Sequence, residues 1–258
     1  MKSNRTLVVQ SYKTENVQPW IKTCLETVRS WAALRSYEYK FLGDEFLAYA
    51  PDWFRSKSHS ILPVTDLARL LLINEQLTKF DQVIWVDADV LVFDPHAFLL
   101  TLEPYSNFAF TSEVWASSPS EGYPIFHRRV NNAVCIFNKH ATELEFFIKS
   151  ALSVMKELDN VGTWDVGVNF LTHAHATKKF QLLSNVGMVS PAIMNDINTN
   201  KTEYLPYLGK LIKPVSAVNL CGSFVNKKDY FDTSQTMYDQ LVEILLNTKG
   251  DAINRFVK

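Results

Sequence analysis

The sequence predicts an α/β protein with a mixed, mainly parallel central sheet that is flanked by helices. The first observation is the order strand, helix, strand, helix, strand between Thr6 and Val86, which is typical of parallel strands joined by helical crossovers. The second is that the later strand-like runs are shorter and irregular, which favours a mixed sheet. The third is that 258 residues, 47% of them hydrophobic and 21% charged, suit one packed domain spanning residues 1–258.

The elements of the first half follow from hydrophobic periodicity and capping signals. Thr65 is the expected N-cap of the second long helix, and the run that ends at Val86 is the strongest strand signal of the chain. The predicted elements are strand Thr6–Gln10, helix Gln18–Trp31, strand Tyr37–Leu42, a short helix or covering loop over Phe46–Arg55, helix Thr65–Leu77 and strand Gln82–Val86.

The second half is less regular. Residues Ser117–Pro124 are rich in Ser, Pro and Gly, and they predict either a loop that covers a ligand or a surface excursion. The predicted elements are a helical segment over Pro95–Leu102, strands Asn107–Thr111 and Ala133–Phe137, helices Glu143–Leu158 and Asp165–His175, strands Phe180–Leu183 and Val215–Leu220, and helix Tyr238–Leu246.

Charge and cysteine usage exclude several classes of protein. The net charge of −1 gives no bulk attraction to nucleic acid or to an anionic membrane. Cys24, Cys135 and Cys221 are odd in number and far apart, so they predict neither a disulfide framework nor a zinc site. No apolar run has the length of a signal sequence or a bilayer span. We expect a cytoplasmic protein with no transmembrane segment and no nucleic-acid partner.

Two carboxylates, Asp87 and Asp89, follow the strongest strand. Side chains two positions apart in a strand point to the same face, so both can address one ion. Oxygen ligands suit hard cations such as Mg²⁺ or Mn²⁺, which proteins usually bind together with substrate phosphates. The alternative is a plain strand exit in which the two acids only shape a turn.

Polar residues of other segments are candidates for the same place, because ligands of open α/β sheets bind outside the carboxyl ends of the strands. Asp66 and Arg69 share one helix face and could bind a hydroxyl and a phosphate, or form only a local ion pair. Asn131 and Asn132, with Arg128 and Arg129 before them, could bind a hydroxyl-rich ligand or form a solvated turn.

Two later segments complete the candidates. Asp165 stands at an expected helix start, where the alternative is a simple N-cap. Asn219, Gly222 and Lys227 follow a late strand, where a glycine lets a ligand approach the backbone and a lysine can neutralise phosphate. The alternative for these residues is an ordinary turn with surface lysines.

In this order, the segments resemble the GT-A glycosyltransferases, especially glycosyltransferase family 8 and the related family 32 and clostridial-toxin type enzymes. The matching segments are Pro63–Leu70 (an Asp-x-x-Arg helix), Asp81–Val90 (the Asp-x-Asp segment), Val130–Val134 (the Asn-Ser-Gly strand start), Trp164–Asp165 (the Asp-Gln-Asp group) and Asn219-x-x-Gly222 with Lys227 (the late His-x-x-Gly-x-x-Lys motif). Asn219 replaces the usual His, Trp164 replaces the Gln, and one extra residue separates Gly222 from Lys227.

The resemblance implies transfer of a hexose from a nucleotide-diphosphate sugar, with a UDP-sugar favoured, to a hydroxyl of a glycan, lipid-linked or protein acceptor, with retention of configuration. It implies Mn²⁺ or Mg²⁺ held by Asp87, Asp89 and Asn219, and catalytic roles for Asp165 and Asn131. The donor-binding residues that it implies are Val9, Ser11, Tyr12, Asp66, Arg69, Asp87, Ala88, Asp89, Asn131, Asn132, Gly222 and Lys227.

Two other classes stay open. In a haloacid dehalogenase-like phosphatase Asp87 would be the nucleophile and Asp89 the acid/base, although that motif normally opens the fold and here about a third of the chain precedes it. The other alternative is a module that binds nucleotide sugars or glycans without turnover, which the Asn219 replacement keeps open.

Overall fold

A computed structural model describes residues 5–117, 123–227 and 231–258. The expected loop over Ser117–Pro124 falls mostly on residues 118–122, outside these ranges. The predicted fold class is confirmed, since helices flank a mixed, mainly parallel sheet. Within the described ranges, no helix combines the length and apolar character needed to cross a membrane.

Within the part of the chain that the structure describes, the strands form two sheets. They are β1 Thr6–Ser11, β2 Glu38–Leu42, β3 Gln82–Val86, β4 Val90–Val92, β5 Phe108–Ser117, β6 Ile125–Asn138, β7 Leu182–Leu183, β8 Val186–Met188 and β9 Ala217–Asn219. The central sheet has the order β2-β1-β3-β6-β5-β7, and in it only β6 runs against the other strands. The smaller sheet has the order β4-β9-β8.

The helices cover the sheet and carry the apolar stripes that the sequence shows. They are α1 Pro19–Leu34, α2 Asp52–Lys57, α3 Ile61–Gln76, α4 Glu143–Glu157, α5 Val168–Thr177, α6 Pro191–Thr199, α7 Leu205–Leu208, α8 Gln235–Asn247 and α9 Asp251–Asn254. Two 3₁₀-helices, Asp44–Tyr49 and Gly222–Phe224, lie near the ends of strands β2 and β9.

The central sheet buries both of its faces. Successive side chains of a strand point to opposite faces, and the sheet follows this rule. Val9 and Trp85 pack in the cluster that includes the apolar face of α3, whereas Val8 and Ile84 pack in the cluster that includes α1. All four side chains are at most 2% exposed, which explains why these strands read as continuous apolar runs.

A β-bulge shapes the hairpin of β5 and β6. The pairing passes from Phe110 opposite Cys135 to Thr111 opposite Asn131, so residues 132–134 have no opposite residue on β5 in the pairing register, although the Thr111 hydroxyl donates to the Val134 carbonyl at 2.7 Å. On the other side of β6, the pairing with β3 continues through this segment, and the Ala133 carbonyl accepts a hydrogen bond from Asp87 N at 2.7 Å. Bulges often re-aim side chains next to active sites, and this one lies beside the residues that follow β3.

The small sheet brings a late segment against the residues that follow β3. Val90 of β4 pairs with Asn219 of β9, and Leu220 N donates to Asp89 O at 2.9 Å. The backbone therefore sets Asn219 next to Asp89 across about half of the chain.

The helix start expected at Thr65 is wrong. Helix α3 begins at Ile61, and Ser60 is its N-cap, with its hydroxyl accepting from Leu62 N. Thr65 lies one turn inside the helix and donates its hydroxyl to the Leu62 carbonyl at 2.8 Å. Pro63 does not break the first turn, because the N–H that proline lacks has no partner within the helix there.

The helical segment expected over Pro95–Leu102 is also wrong. A single turn forms at residues 95–97, because the Asp94 carboxylate accepts from His96 N and Ala97 N at 3.2 and 3.0 Å. Residues 98–103 then form neither helix nor strand, and Phe98 and Leu100 are buried in the core. Aspartate that bonds to the backbone in this way favours a turn over a helix.

Candidate active site

Asp87 and Asp89 lie in the turn that joins β3 to β4, and Val90 N donates to Asp87 O across it at 3.1 Å. The pair therefore forms a strand exit with a turn, as the alternative interpretation of these two acids expected. Both side chains nevertheless face a cavity of about 890 Å³ at the carboxyl ends of β1, β2 and β3. The two interpretations therefore do not exclude each other, because the acids shape a turn and also line the cavity.

The cavity gathers most of the residues singled out from the sequence. Among the described residues, its wall includes the predicted Ser11, Tyr12, Asp66, Arg69, Asp87, Ala88, Asp89, Asn131, Asn132, Asn219 and Gly222. These come from β1, α3, the turn after β3, the bulge of β6 and the end of β9. A volume of this size accommodates a ligand as large as a nucleotide sugar.

Asp87 is held by a buried cation and an indole. Arg69 Nη2 and Trp85 Nε1 donate to Asp87 Oδ1 at 2.8 and 2.6 Å. The Arg69 guanidinium also lies 5.1 Å from the centre of the Trp85 ring. Burial raises the pKa of Asp87 even though Arg69 and Trp85 favour its charged form.

Arg69 also contacts a residue of its own helix, Asp66, and a residue of the bulge, Asn132. Its Nη1 donates to the Asn132 carbonyl at 2.8 Å and lies 3.5 Å from Asp66 Oδ1. The side chain is only 5% exposed. In this arrangement Arg69 is the counter-ion of Asp66 and Asp87, while its predicted contact with a donor phosphate stays a prediction.

Asp89 is fixed by the segment after β9. Its Oδ1 accepts from Asn219 Nδ2 at 3.1 Å, and its Oδ2 accepts from Gly222 N at 2.7 Å. Burial and the neighbouring charge of Asp87 raise the pKa of Asp89 to about 6. Gly222 has no room for a side chain, because an added Cβ would lie 2.9 Å from the Trp20 ring.

Asn219 turns its amide nitrogen, not its oxygen, to Asp89. Its Oδ1 accepts from Cys221 N at 2.6 Å, so this oxygen already has a partner. An amide nitrogen is not a metal ligand, and Asn219 would have to exchange the two groups to ligate through oxygen. Here it orients Asp89, and its role as a ligand stays a prediction.

Asp66 lies against Asn132 and a glycine. Asn132 Nδ2 donates to Asp66 Oδ1 at 2.8 Å. Burial raises the pKa of Asp66 to about 6, against an ordinary value of 3.8. Gly167 passes so close that a Cβ added there would collide with Asp66 Oδ2, so only glycine fits beside this carboxylate.

Glu113 is a wall residue that the sequence reasoning missed. It lies within β5, is 4% exposed, and accepts from Asn131 Nδ2 at 2.7 Å. Its partner opposite on β6 is Arg129, whose Nη1 lies 3.9 Å from Glu113 Oε1. An acid inside a buried strand was the available signal, but the strand was predicted to end at Thr111.

Three predicted residues lie away from the wall among the described residues. Val9 is in the core below the site and is fully buried. Lys227 is exposed, with its ammonium 4.9 Å from the centre of the Phe224 ring. The Asp165 carboxylate accepts from Gly162 N and Asn169 Nδ2 at 2.8 and 3.1 Å, and Asp165 is not the expected N-cap, because α5 begins at Val168 with Gly167 as its N-cap.

The wall carries an excess of buried negative charge. The wall includes the acids Asp66, Asp87, Asp89 and Glu113. Ion pairs connect this group to the buried Arg69 and the partly exposed Arg129. In the described ranges no group of three His, Cys, Asp or Glu side chains is placed to hold a metal ion. The pair Asp87 and Asp89 alone still fits a hard cation, because such ions bind one or two carboxylates and complete their shell with phosphates and water.

Comparison with known proteins gives structural neighbours only, since neither a family model nor a curated protein sequence matches the chain. A glycosyltransferase involved in glycosylation of the major capsid of the virus PBCV-1 is 15% identical, with a TM-score of 0.49 over 93% of this chain and 99% of its own. Mouse xyloside xylosyltransferase 1 is 12% identical, with a TM-score of 0.46 over 86% and 99%. The bifunctional glycosyltransferase WbbM is 13% identical, with a TM-score of 0.48 over 100% of this chain and 52% of its own. These values are too low to transfer an activity.

Proposed function

We propose that the protein is a metal-dependent glycosyltransferase that moves a hexose from a nucleotide-diphosphate sugar, with a UDP-sugar favoured, to an acceptor hydroxyl. The observation that carries the proposal is the pair Asp87 and Asp89 at the wall of a cavity with excess negative charge. A divalent cation would offset part of this negative charge and would bind a diphosphate through its remaining coordination positions. Retention of configuration and the family 8 and family 32 likeness remain part of the proposal.

The chain's own residues would hold and orient the donor. Asp87 and Asp89 hold the metal, which when bound supplies Lewis-acid stabilisation of the diphosphate leaving group. Arg69 fixes Asp87 through a 2.8 Å bond, and Gly222 N fixes Asp89 through one of 2.7 Å. Asp66 then offers a carboxylate to donor hydroxyls.

The nucleotide would lie at the ends of β1 and β2. Ser11, Tyr12 and Gly43 contribute to the cavity wall there. Tyr12 donates its hydroxyl to Gln18 Oε1 at 3.1 Å, which holds its ring in place for stacking. In the transfer, the acceptor oxygen bonds to the anomeric carbon, the bond from that carbon to the diphosphate breaks, and the hydroxyl proton is released.

The direct test is a panel of nucleotide sugars with and without Mn²⁺. We expect UDP or a UDP-sugar with Mn²⁺ to raise the melting temperature by about 5–10 °C at a hundredfold excess over Kd. Release of UDP in the presence of acceptor mixtures then measures turnover. Tight UDP binding without turnover on any acceptor would favour the binding module, and hydrolysis of simple phosphate esters through an aspartyl-phosphate would favour the phosphatase.

The affinity for Mn²⁺ is expected to fall in acid. A metal binds the ionised carboxylate, and the pKa of Asp89 is raised to about 6, so protons compete with the metal below that pH. Between pH 7.5 and pH 5 we expect roughly tenfold weaker binding, one factor of ten for each pH unit below the pKa. Titration calorimetry with Mn²⁺ at the two pH values measures it.

The control for this pH dependence is Asp66→Asn. Asp66 has a pKa of about 6 as well but is not assigned as a ligand. The variant is therefore expected to keep the dependence, whereas Asp89→Asn should lose most of its metal affinity at both pH values. Equal Mn²⁺ affinity at pH 5 and pH 7.5 in the unmodified protein would contradict the assignment of Asp89.

A further inference from the structure

The hairpin of β5 and β6 presents a second chemical surface to the cavity. Side chains alternate along a strand, and Glu113 and Trp115 of β5 face the cavity together with Arg129 and Asn131 of β6. Glu113 stands directly opposite Arg129 in the pairing register. None of these side chains belongs to the group around Asp87 and Asp89 that was assigned to the metal and the diphosphate.

Glu113 has an oxygen available to a ligand. Its Oε2 accepts from Asn131 Nδ2 at 2.7 Å, but its Oε1 has only Arg129 Nη1 at 3.9 Å among the described residues, beyond hydrogen-bond distance. Burial raises the pKa of Glu113, which indicates that its charge is poorly solvated. A hydroxyl placed between Glu113 and Arg129 would satisfy both groups.

An aromatic pair lies beside this acid. The rings of Trp115 and Phe224 are 5.1 Å apart at an angle of 35°, and both residues are half-buried in the cavity wall. Phe224 belongs to the same short 3₁₀-helix as Gly222, whose amide holds Asp89. An apolar ring surface next to a carboxylate and a guanidinium suits a sugar, which has an apolar ring face and a rim of hydroxyls.

The strand order separates this surface from the nucleotide. Across the sheet the order is β2-β1-β3-β6-β5, so the ends of β1 and β2 lie on one side of Asp87 and the hairpin lies on the other. With strands about 4.8 Å apart, β5 is roughly 10 Å from β3. A donor whose nucleotide lies over β1 and whose diphosphate lies at Asp87 would point its hexose toward the hairpin.

We infer that Glu113, Arg129, Trp115 and Phe224 form the acceptor subsite and that the acceptor is a carbohydrate. The ring of the accepting sugar stacks on Trp115, and its reactive hydroxyl donates to Glu113 Oε1. This inference rests on the proposed function, because it assigns the second substrate of the same cavity.

The test uses methyl α- and β-glycosides of glucose, galactose and mannose, with lactose and maltose, as probes. Saturation-transfer NMR on the full chain with UDP and Mg²⁺, which is diamagnetic, detects those that bind, and a titration gives each Kd. We expect at least one probe to bind, and Trp115→Ala and Glu113→Gln each to weaken it by roughly tenfold to a hundredfold. The Kd for UDP should stay within about twofold in both variants, because neither side chain lies on the nucleotide side.

The matched controls separate a lost contact from a damaged fold. Trp53→Ala removes a half-exposed tryptophan that is not in the cavity wall, and it should leave the probe Kd unchanged. Trp115→Phe keeps an aromatic ring and should recover most of the affinity. Melting curves of all variants establish folding, and Glu113→Gln, which keeps the size of the side chain, carries the test if Trp115→Ala unfolds.

The outcomes distinguish this inference from the proposed function. If the unmodified protein binds neither UDP nor a UDP-sugar with Mn²⁺, both fail together. If it binds UDP but no glycoside, or if the glycoside Kd is the same in Trp115→Ala and Glu113→Gln as in the unmodified protein, the acceptor subsite is overturned and the glycosyltransferase proposal stands.

Discussion

Asp87→Ala and Asp89→Ala are each expected to lower kcat/KM for metal-dependent UDP release by roughly a thousandfold, since a bound metal contributes several kcal/mol to stabilising the leaving group. Each variant removes one of the two carboxylates that line the cavity and are assigned to the metal. The measurement is a UDP-release assay with Mn²⁺ and the donor identified by the binding panel. Asp52→Asn is the control, because that side chain is 91% exposed.

These variants are expected to fold. A carboxylate whose pKa is raised in the fold is destabilising when ionised, so at pH 8 the removal of Asp89 relieves that cost and offsets part of the loss of its bonds from Asn219 Nδ2 and Gly222 N. In Asp87→Ala the buried Arg69 keeps Asp66 as its counter-ion. The metal-free variants should therefore still melt cooperatively, while the Mn²⁺-induced rise in melting temperature is lost. Full activity in a folded Asp89→Ala variant would contradict the metal assignment and the glycosyltransferase proposal together.

The fold was most predictable where burial is uniform. Strands β1 and β3 bury both faces, so their apolar runs stand out, and helices α1 and α4 carry a clear apolar stripe. The hairpin of β5 and β6 extends well beyond the predicted Asn107–Thr111 and Ala133–Phe137 because polar side chains face a cavity there. Glu113 and Arg129 read as loop residues in the sequence, although each has a partner across the hairpin.

The short elements that follow β3 were not predictable for a different reason. Strands β4 and β8 have three residues each, and their pairing with β9 depends on contacts distant in sequence. Helices α6 and α7 begin at or next to prolines and have only nine and four residues, so each gives little periodic signal in the sequence. Tertiary packing, and not local pattern, defines these elements.

The candidate site was predictable for those side chains whose position is set by the carboxyl end of a strand. Asp66, Asp87 and Asp89 converge because a helix and the strand after it meet at one edge of the sheet. Asp165 lies outside the cavity wall, and its carboxylate accepts from Gly162 N and Asn169 Nδ2, as Asp does at many turns, so its catalytic role stays a prediction. Sequence order alone does not reveal whether a given acid will line the cavity or will bond to neighbours in its own loop.

One buried cation supports the acid cluster before any metal binds. Arg69 contacts Asp87 at 2.8 Å and Asp66 at 3.5 Å, and its side chain is 5% exposed. The pKa of Asp66 is nevertheless raised to about 6, because burial outweighs the attraction of Arg69. Both carboxylates are therefore more costly to ionise in the fold than in water, and Arg69 limits that cost.

Arg69→Met is expected to destabilise the metal-free protein by about 3 kcal/mol at pH 8, the lower end for a broken buried pair because the Asp87 side chain is 26% exposed. Without the cation the pKa values of Asp66 and Asp87 rise further. Stability then falls as pH rises from the unfolded value of about 3.8 through these higher pKa values, so the loss should be much smaller at pH 5. Urea unfolding at both pH values measures it.

The chain provides a matched surface pair for this experiment. Arg55 and Asp52 have the same i,i+3 spacing on α2 but exposed side chains, and Arg55→Met should cost at most about 0.5 kcal/mol at either pH. The double variant Arg69→Met/Asp87→Asn should recover part of the lost stability, because it removes one of the uncompensated acids. Equal losses for Arg69→Met at pH 5 and pH 8 would show that packing, and not charge balance, is the role of Arg69.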